Sequence, residues 1–337
     1  MKQTILAAGG AGYIGSHTVL ELLQHNYHVV VIDKLCTTRI NHPNVAYFQC
    51  DIADAGIIKT ICQRYTIDAV VHCAAYIEVG ASVVHPASYY ENNVIKSFQF
   101  IENLRQCGIN NIIFSSSAAV YGMPTTLPIP ETHACNPINP YGMTKLMVEQ
   151  LLADYHTAYG TRYIALRYFN AAGAHPAHGL GERHTPETHL IPRLLNAARE
   201  GEAFTLYGND YPTPDGTCVR DYVHVRDIAA AHRLSVEYLT MHDAGMAINL
   251  GNGTGFSVRT ILQAVEDVVG HSITVSILDR RAGDPAYLVA DTQRAQEILG
   301  WQPRFSDIKT IIADAYAFEV SQRSAVFTCH AGLACPP

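Results

Sequence analysis

Tyr141 and Lys145 stand four residues apart at the start of a helical pattern that runs on through Leu146, Val148, Leu151, Leu152 and Tyr155. Four residues is one helical turn, so the phenol and the ammonium share a face. A cation beside a phenol favours the phenolate, and a phenolate can take a proton from an alcohol. Three serines, Ser115 to Ser117, close an apolar run ending in Phe114. They read either as turn chemistry or as a hydroxyl set beside Tyr141 to pass a proton. Near the N-terminus, Gly9, Gly12 and Gly15 follow a short apolar run and precede a helical pattern. Such glycines allow a tight turn and a close backbone approach to a pyrophosphate, which the free N–H groups of the helix then bind. Asp33 ends the next apolar run, where a carboxylate accepts hydrogen bonds from an adenosine ribose and repels a 2′-phosphate. This favours NAD over NADP, a preference that Lys34 and Arg39 soften.

These residues need a scaffold. Short β runs alternate with helical patterns, the signature of a parallel sheet flanked by helices. Strands are expected at 4–7, 29–32, 45–50, 69–73, 111–114 and 163–166, with a first helix from Tyr13 to Gln24 and another from about Tyr89 to Cys107. Asp51 either brackets an adenine with Ile52 or caps the helix over 56–65. Cys73, Ala74 and Ala75 end a strand with small side chains that leave room for a cofactor. The pattern changes after about residue 175. The expected division is a Rossmann-type doubly wound parallel sheet over 1–175, a smaller mixed α/β substrate lobe over 176–325, and a tail over 326–337. A helix and strand near 227–252 belong to either lobe. Ser257 and Gly270 read as the N-cap and the stop of a helix between them.

Composition removes several classes. The chain has 337 residues, 48% hydrophobic and 16% charged, with net charge −7. That is globular, with no basic block for nucleic acid and no apolar run long enough for a membrane span. Nine scattered cysteines without a C-x-x-C pair read as reduced thiols of a cytoplasmic protein. His184 and His189, five apart with Pro186 between them, read as solvated or core histidines, and no metal site is expected.

Taken together, Gly9–His17, Ser115–Gly122, Pro140–Lys145, Arg167–Asn170, Asp215–Tyr222 and Arg281–Asp284 resemble the extended short-chain dehydrogenase/reductase family, and within it the UDP-sugar 4-epimerases. The likeness spans about residues 3 to 318. It implies an NAD-dependent isomerase that inverts C4 of UDP-glucose and UDP-galactose, and a homodimer built from the helices over 89–107 and 141–159. It also implies roles. Tyr13 and Ile14 would meet the pyrophosphate, and Asp33, Asp51 and Ile52 the adenosine. Cys73, Ala74, Ala75 and Asn92 would line the cofactor channel. Tyr141, Lys145 and Ser117 would carry the chemistry, and Tyr168 would stand between cofactor and sugar. Asn170, His189, Leu190 and Thr205–Tyr207 would hold sugar and uridine, Arg220 and Arg281 the diphosphate, and Asp284 the uridine ribose. Nucleotide-sugar 4,6-dehydratases of the same scaffold place Asp-Glu where this chain has Ala118 and Ala119, which disfavours elimination. Departures from the family are Ala8, Ile77, His189 and a short 36–45 segment.

Overall fold

The computed structural model describes residues 2–35, 38–281 and 284–331, with side chains as far as residue 322. In chain order its elements are β1 (Thr4–Ala8), α1 (Tyr13–Gln24), β2 (His28–Asp33), β3 (Val45–Gln49), α2 (Ala55–Arg64), β4 (Ala69–His72), α3 (Val79–Val84), α4 (Pro86–Tyr89), a π-helical turn (Tyr90–Ile95) and α5 (Lys96–Gln106). There follow β5 (Asn111–Ser117), α6 (Pro140–Tyr159), β6 (Arg162–Tyr168), β7 (Asn170–Ala172), α7 (Leu190–Glu200), β8 (Phe204–Tyr207), β9 (Val219–His224), α8 (Val225–Met241) and β10 (Gly245–Leu250). The chain continues with β11 (Gly255–Ser257), α9 (Val258–Val269), β12 (Val275–Leu278), β13 (Tyr287–Leu288), α10 (Gln293–Leu299) and α11 (Ile308–Ala331).

Seven strands form one sheet in the order β10-β6-β5-β4-β1-β2-β3. Every neighbouring pair in it is parallel. Strands buried on both faces need continuous apolar runs, and Val29–Ile32 and Val70–Val71 supply them with side chains at 0–1% exposure. Strand order reverses between β1 and β4, and a doubly wound sheet opens a ligand crevice at such a point. All seven carboxyl ends face that side. β10 and α8 come from late in the chain yet complete this sheet, with Gly245–Leu250 in register on Tyr163–Tyr168. The sheet is a Rossmann-type α/β structure.

A second core gathers α7, α9 and α11 around Leu194, Ile261, Val265 and Ile311. Beside it lie the β11-β9-β13 sheet, with β7 also on β9, and the β12-β8 pair. The sequence after Tyr207 reads as a polar loop as far as Arg220-Asp221-Tyr222, but Val219–His224 form β9. Asp221 accepts there from the N–H groups of Asn252, Gly253 and Ala290, so polar side chains are satisfied inside a strand. α3 is likewise invisible to periodicity, being only six residues long. The helix over 89–107 is interrupted by the π turn. The expected tail from 326 instead continues α11 as far as Ala331, and 332–337 lie outside the described residues. Two parts of expected motifs also fall outside them: Cys36 and Thr37 of the short loop, and Ala282 and Gly283 between Arg281 and Asp284.

Candidate active site

A cleft of about 760 Å³ opens over the carboxyl ends of the sheet, between the two cores. Tyr13, Ser117, Ala119, Tyr141, Tyr168 and Asn170 line one wall, and His189, Leu190, Arg220 and Asp284 line the other.

Tyr141 sits in the first turn of α6. Asn139 caps that helix by accepting from Gly142 N–H at 2.8 Å, and Pro140 takes a position needing no donor. The Tyr141 N–H, also free of intrahelical partners, donates to Ser82 Oγ on α3 at 3.2 Å. The glycine at 142 has a steric reason, since a Cβ there would lie 2.5 Å from the Ala119 carbonyl oxygen. Helix and 118–120 turn therefore meet backbone to backbone. That contact brings the Ser117 hydroxyl beside the Tyr141 phenol, near enough to act on its acidity. Ser117 Oγ also accepts from Ala119 N–H at 3.2 Å, which fixes its rotamer.

Lys145 is 4% exposed. Its Nζ donates to Ser115 O at 2.8 Å and lies 5.8 Å from the centre of the Tyr141 ring. The expectation that Lys145 makes Tyr141 acidic is not met in this state. Burial pushes the phenol up to about 12, and the Ser117 hydrogen bond only partly opposes it. Burial also brings the Lys145 ammonium down to about 8. Desolvation dominates at both groups, and the ammonium's hydrogen bond goes to the Ser115 carbonyl.

Behind this pair runs a polar layer that sequence reasoning missed. Glu149, one more turn along α6, forms a buried ion pair with Arg167 of β6 and accepts from Ser116 Oγ. Arg167 Nη1 donates to Tyr121 OH at 2.9 Å, and Tyr121 donates to Asn249 Oδ1 at 2.6 Å. The signal was present in the pattern: a carboxylate on the same helical face as Tyr141 and Lys145, where apolar residues dominate. Tyr168, already expected at the site, stands 2.9 Å from Ser115 Oγ and donates to His232 Nε2 at 2.6 Å. His232 Nδ1 is bonded to Ile228 O, which leaves Nε2 as the acceptor. Cys73 joins this group through Ser115, and burial raises its thiol to about 11. Asn93, in the π turn, accepts from Tyr76 N–H and donates to Thr144 on α6. Its neighbour Asn92 accepts from Lys34 at 3.3 Å.

The glycine turn fits a dinucleotide. Gly9 has φ +75° and a Cβ there would lie 2.6 Å from Ala74 N, while one at Gly15 would lie 2.0 Å from Gly9 O. No side chain caps α1, so the first N–H groups of the helix, from Tyr13, Ile14 and Gly15, are left available and could hold a pyrophosphate. Asp33 accepts from Ala11 N–H at 3.0 Å and so holds the turn from the end of β2. Asp51 is bridged to Lys34 at 3.0 Å and Lys96 at 2.7 Å, and Ile52 is buried beside it. Asp51 does not cap α2, because Asp54 does so by accepting from Ile57 N–H. Lys34 is turned to Asp51, and Arg39 lies over the Tyr47 ring at 5.4 Å.

On the opposite wall, Arg220 pairs with Asp284. Arg281 instead stacks over Tyr207, with its guanidinium carbon 4.0 Å from the ring centre, and is exposed. Leu206 is 1% exposed in the second core, so it can offer a ligand only backbone. Thr205, Leu206, Tyr207 and Arg281 are not among the cleft-lining residues. The structure also draws Glu182, His184, Glu187 and His189 together in the cleft, a grouping that Pro186 hides in the sequence. Tyr13, whose phenol donates to Gly173 O, is held well above its usual range by burial and then by Glu182 and Glu187.

Comparison with known proteins agrees with this geometry. Residues 5–251 match the model of the NAD dependent epimerase/dehydratase family. A UDP-glucose 4-epimerase of Halalkalibacterium halodurans is 45% identical over 314 residues, 93% of this chain and 94% of its own. The crystal structure of UDP-glucose 4-epimerase from Brucella ovis in complex with NAD superposes with a TM-score of 0.89 at 48% identity, covering 93% of this chain and 97% of that one. The Bifidobacterium longum enzyme in complex with NAD+ and UDP gives 0.89 at 36% identity, over 95% and 99%. With a family match running from β1 to the end of β10 and relatives similar over almost their whole length, the chain belongs to the NAD dependent epimerase/dehydratase family.

Proposed function

We propose that the chain interconverts UDP-glucose and UDP-galactose by inverting C4 through a 4-keto sugar, with NAD bound at the glycine turn. The observation that carries this reading is the Ser117–Tyr141 hydroxyl pair on the cleft wall, with Lys145 behind it and only methyl groups, Ala118 and Ala119, beside it.

Bound NAD supplies the hydride acceptor and later its donor. Tyr141, directly or through Ser117, takes the proton of the sugar 4-hydroxyl and returns it after inversion. Lys145 holds the nicotinamide ribose and lends the positive charge that a tyrosinate needs. The keto sugar must turn within the cleft while its nucleotide stays in place. Arg220 suits the diphosphate and Asp284 the uridine ribose, with Asn170, His189 and Leu190 of the cleft wall completing the grip. We assign residues 1–175, with 227–252, to the cofactor and 176–325 to the UDP-sugar. Elimination of the 6-hydroxyl would need an acid and a base where Ala118 and Ala119 stand.

We further assign a homodimer formed through α5 and α6. Phe98 on α5 and Met147 on α6 are exposed at 47% and 42%, Ile95 at the end of the π turn leading into α5 at 52%, and they support that face.

The test is to incubate purified protein with UDP-galactose and no added nucleotide. UDP-glucose formed to equilibrium, without NADH release, is the expected result. Accumulation of NADH or of a 4-keto-6-deoxy sugar overturns the reading. A panel of N-acetylated and pentose UDP-sugars in the same assay fixes the range of sugars accepted.

A further inference from the structure

Two carboxylates and two imidazoles converge on one wall of the cleft. Their four ligand atoms, one each from Glu182, His184, Glu187 and His189, all lie within 4.8 Å of one another. His184 Nδ1 stands 2.9 Å from Glu182 Oε1, His189 Nδ1 contacts the same oxygen, and Glu187 Oε1 lies 4.0 Å from His189 Nδ1. Four ligands at roughly 2.1 Å from one ion would be about 3.4 Å apart, a spacing within the range found here. The backbone is shaped to hold them. Glu187 Oε1 accepts from the N–H groups of Thr188 and His189, and His189 is the residue from which α7 starts.

We propose that Glu182, His184, Glu187 and His189 form a binding site for a divalent transition-metal ion of the zinc class. Two neutral imidazoles and two carboxylates are a borderline donor set that suits Zn2+ and not the all-oxygen preference of Mg2+ or Ca2+. Charge gives a second reason, which rests on the reading of the cleft as a UDP-sugar site. The side chains of Glu182 and Glu187 are 7% and 14% exposed in a cleft that must admit a diphosphate. Two nearly buried negative charges would repel it, and a divalent cation between them cancels both. The ion would tie the 182–189 strap to the start of α7. It is a structural and electrostatic element of the cleft wall, and no proton or hydride passes through it.

The test needs no sugar, so it stands apart from the epimerase assignment. Protein stripped with EDTA is titrated with zinc chloride, and metal content is read after equilibrium dialysis. The expected result is one saturable equivalent per chain, with affinity lowered at least about tenfold in His184→Ala and in Glu187→Gln. NAD binding serves as the folding control for both variants. Cobalt(II) bound to the wild-type protein should show visible bands of a four-coordinate nitrogen and oxygen site and no thiolate charge-transfer band. That reading decides the matter if a variant fails to fold. Three results would each overturn the proposal: no saturable equivalent, binding unchanged in both variants, or a thiolate band that places the ion on cysteine. The first would leave protonated histidines as the counter-charge to Glu182 and Glu187.

Discussion

The Tyr141 phenol stands beside the Ser117 hydroxyl where the start of α6 meets the end of β5, and Gly142 lets the helix backbone close onto Ala119 just beyond that strand. Replacing Tyr141 by Phe removes the phenol proposed as proton acceptor and leaves the cleft shape intact. Turnover should drop about 100- to 10,000-fold while UDP binding stays near wild type. Steady-state rates and UDP titration check this, and turnover near wild type would sink the assignment of the base.

Gly142→Ala addresses the junction itself. The added methyl would meet the Ala119 carbonyl at 2.5 Å, so either α6 or the 118–120 turn must move. A loss of about 1–3 kcal/mol in stability is expected, together with a fall in kcat larger than any rise in KM. Unchanged kcat with full stability would show that the junction yields freely.

Glu149 and Arg167 offer a sharper energetic test. Removing the carboxylate in Glu149→Ala leaves the guanidinium buried without its partner, a cost of about 3–5 kcal/mol. Replacing both residues together, Glu149→Leu with Arg167→Met, should recover much of that loss. Denaturant unfolding of the three proteins separates the outcomes. A double variant no more stable than Glu149→Ala would mean that the loss comes from packing and not from a stranded charge.

Acid should destabilise the protein through its buried imidazoles. Burial holds His17 and His72 at about 3 and His232 at about 4. Each is neutral in the folded state where the unfolded chain, with a pKa near 6.5, is already protonated. Their contribution is therefore fully present above pH 6.5 and is lost as pH falls toward 3–4, at about 1.4 kcal/mol per pH unit for each group. Unfolding followed from pH 7.5 to 5 should show stability falling with acidity, and His72→Phe should flatten the slope. A curve flat between pH 6.5 and 5 would refute this.

The proposed dimer face is open to a direct assay. Phe98→Asp and Met147→Asp should each halve the mass measured by light scattering. An unchanged mass in both would move the interface elsewhere.

Legibility from sequence followed local rules. α1 and the glycine turn were visible because glycine spacing, strand and helix lie within thirty residues of each other. The Tyr141–Lys145 pair was visible for the same reason: one helical turn carries it. The Ser257 cap and Gly270 stop of α9 were equally local. Contacts made at long range were not legible. Glu149 reads as a lone charge until Arg167 and Ser116 are brought to it from two strands. Glu182, His184, Glu187 and His189 read as scattered polar residues because Pro186 breaks any periodic pattern. β9 was missed because Arg220 and Asp221 look like loop residues, yet distant partners satisfy them.

The placement of β10 has a consequence for how the chain comes into being. The strand next to β6 is made some eighty residues after it, with most of the nucleotide-sugar wall synthesised in between. Until the ribosome has released residue 250, the growing sheet presents β6 as a bare edge, open to wrong partners. The cofactor half is therefore not a module that can be cut free at residue 175. The two halves are interleaved in time as well as in space, and a truncation before Leu250 should leave insoluble chain.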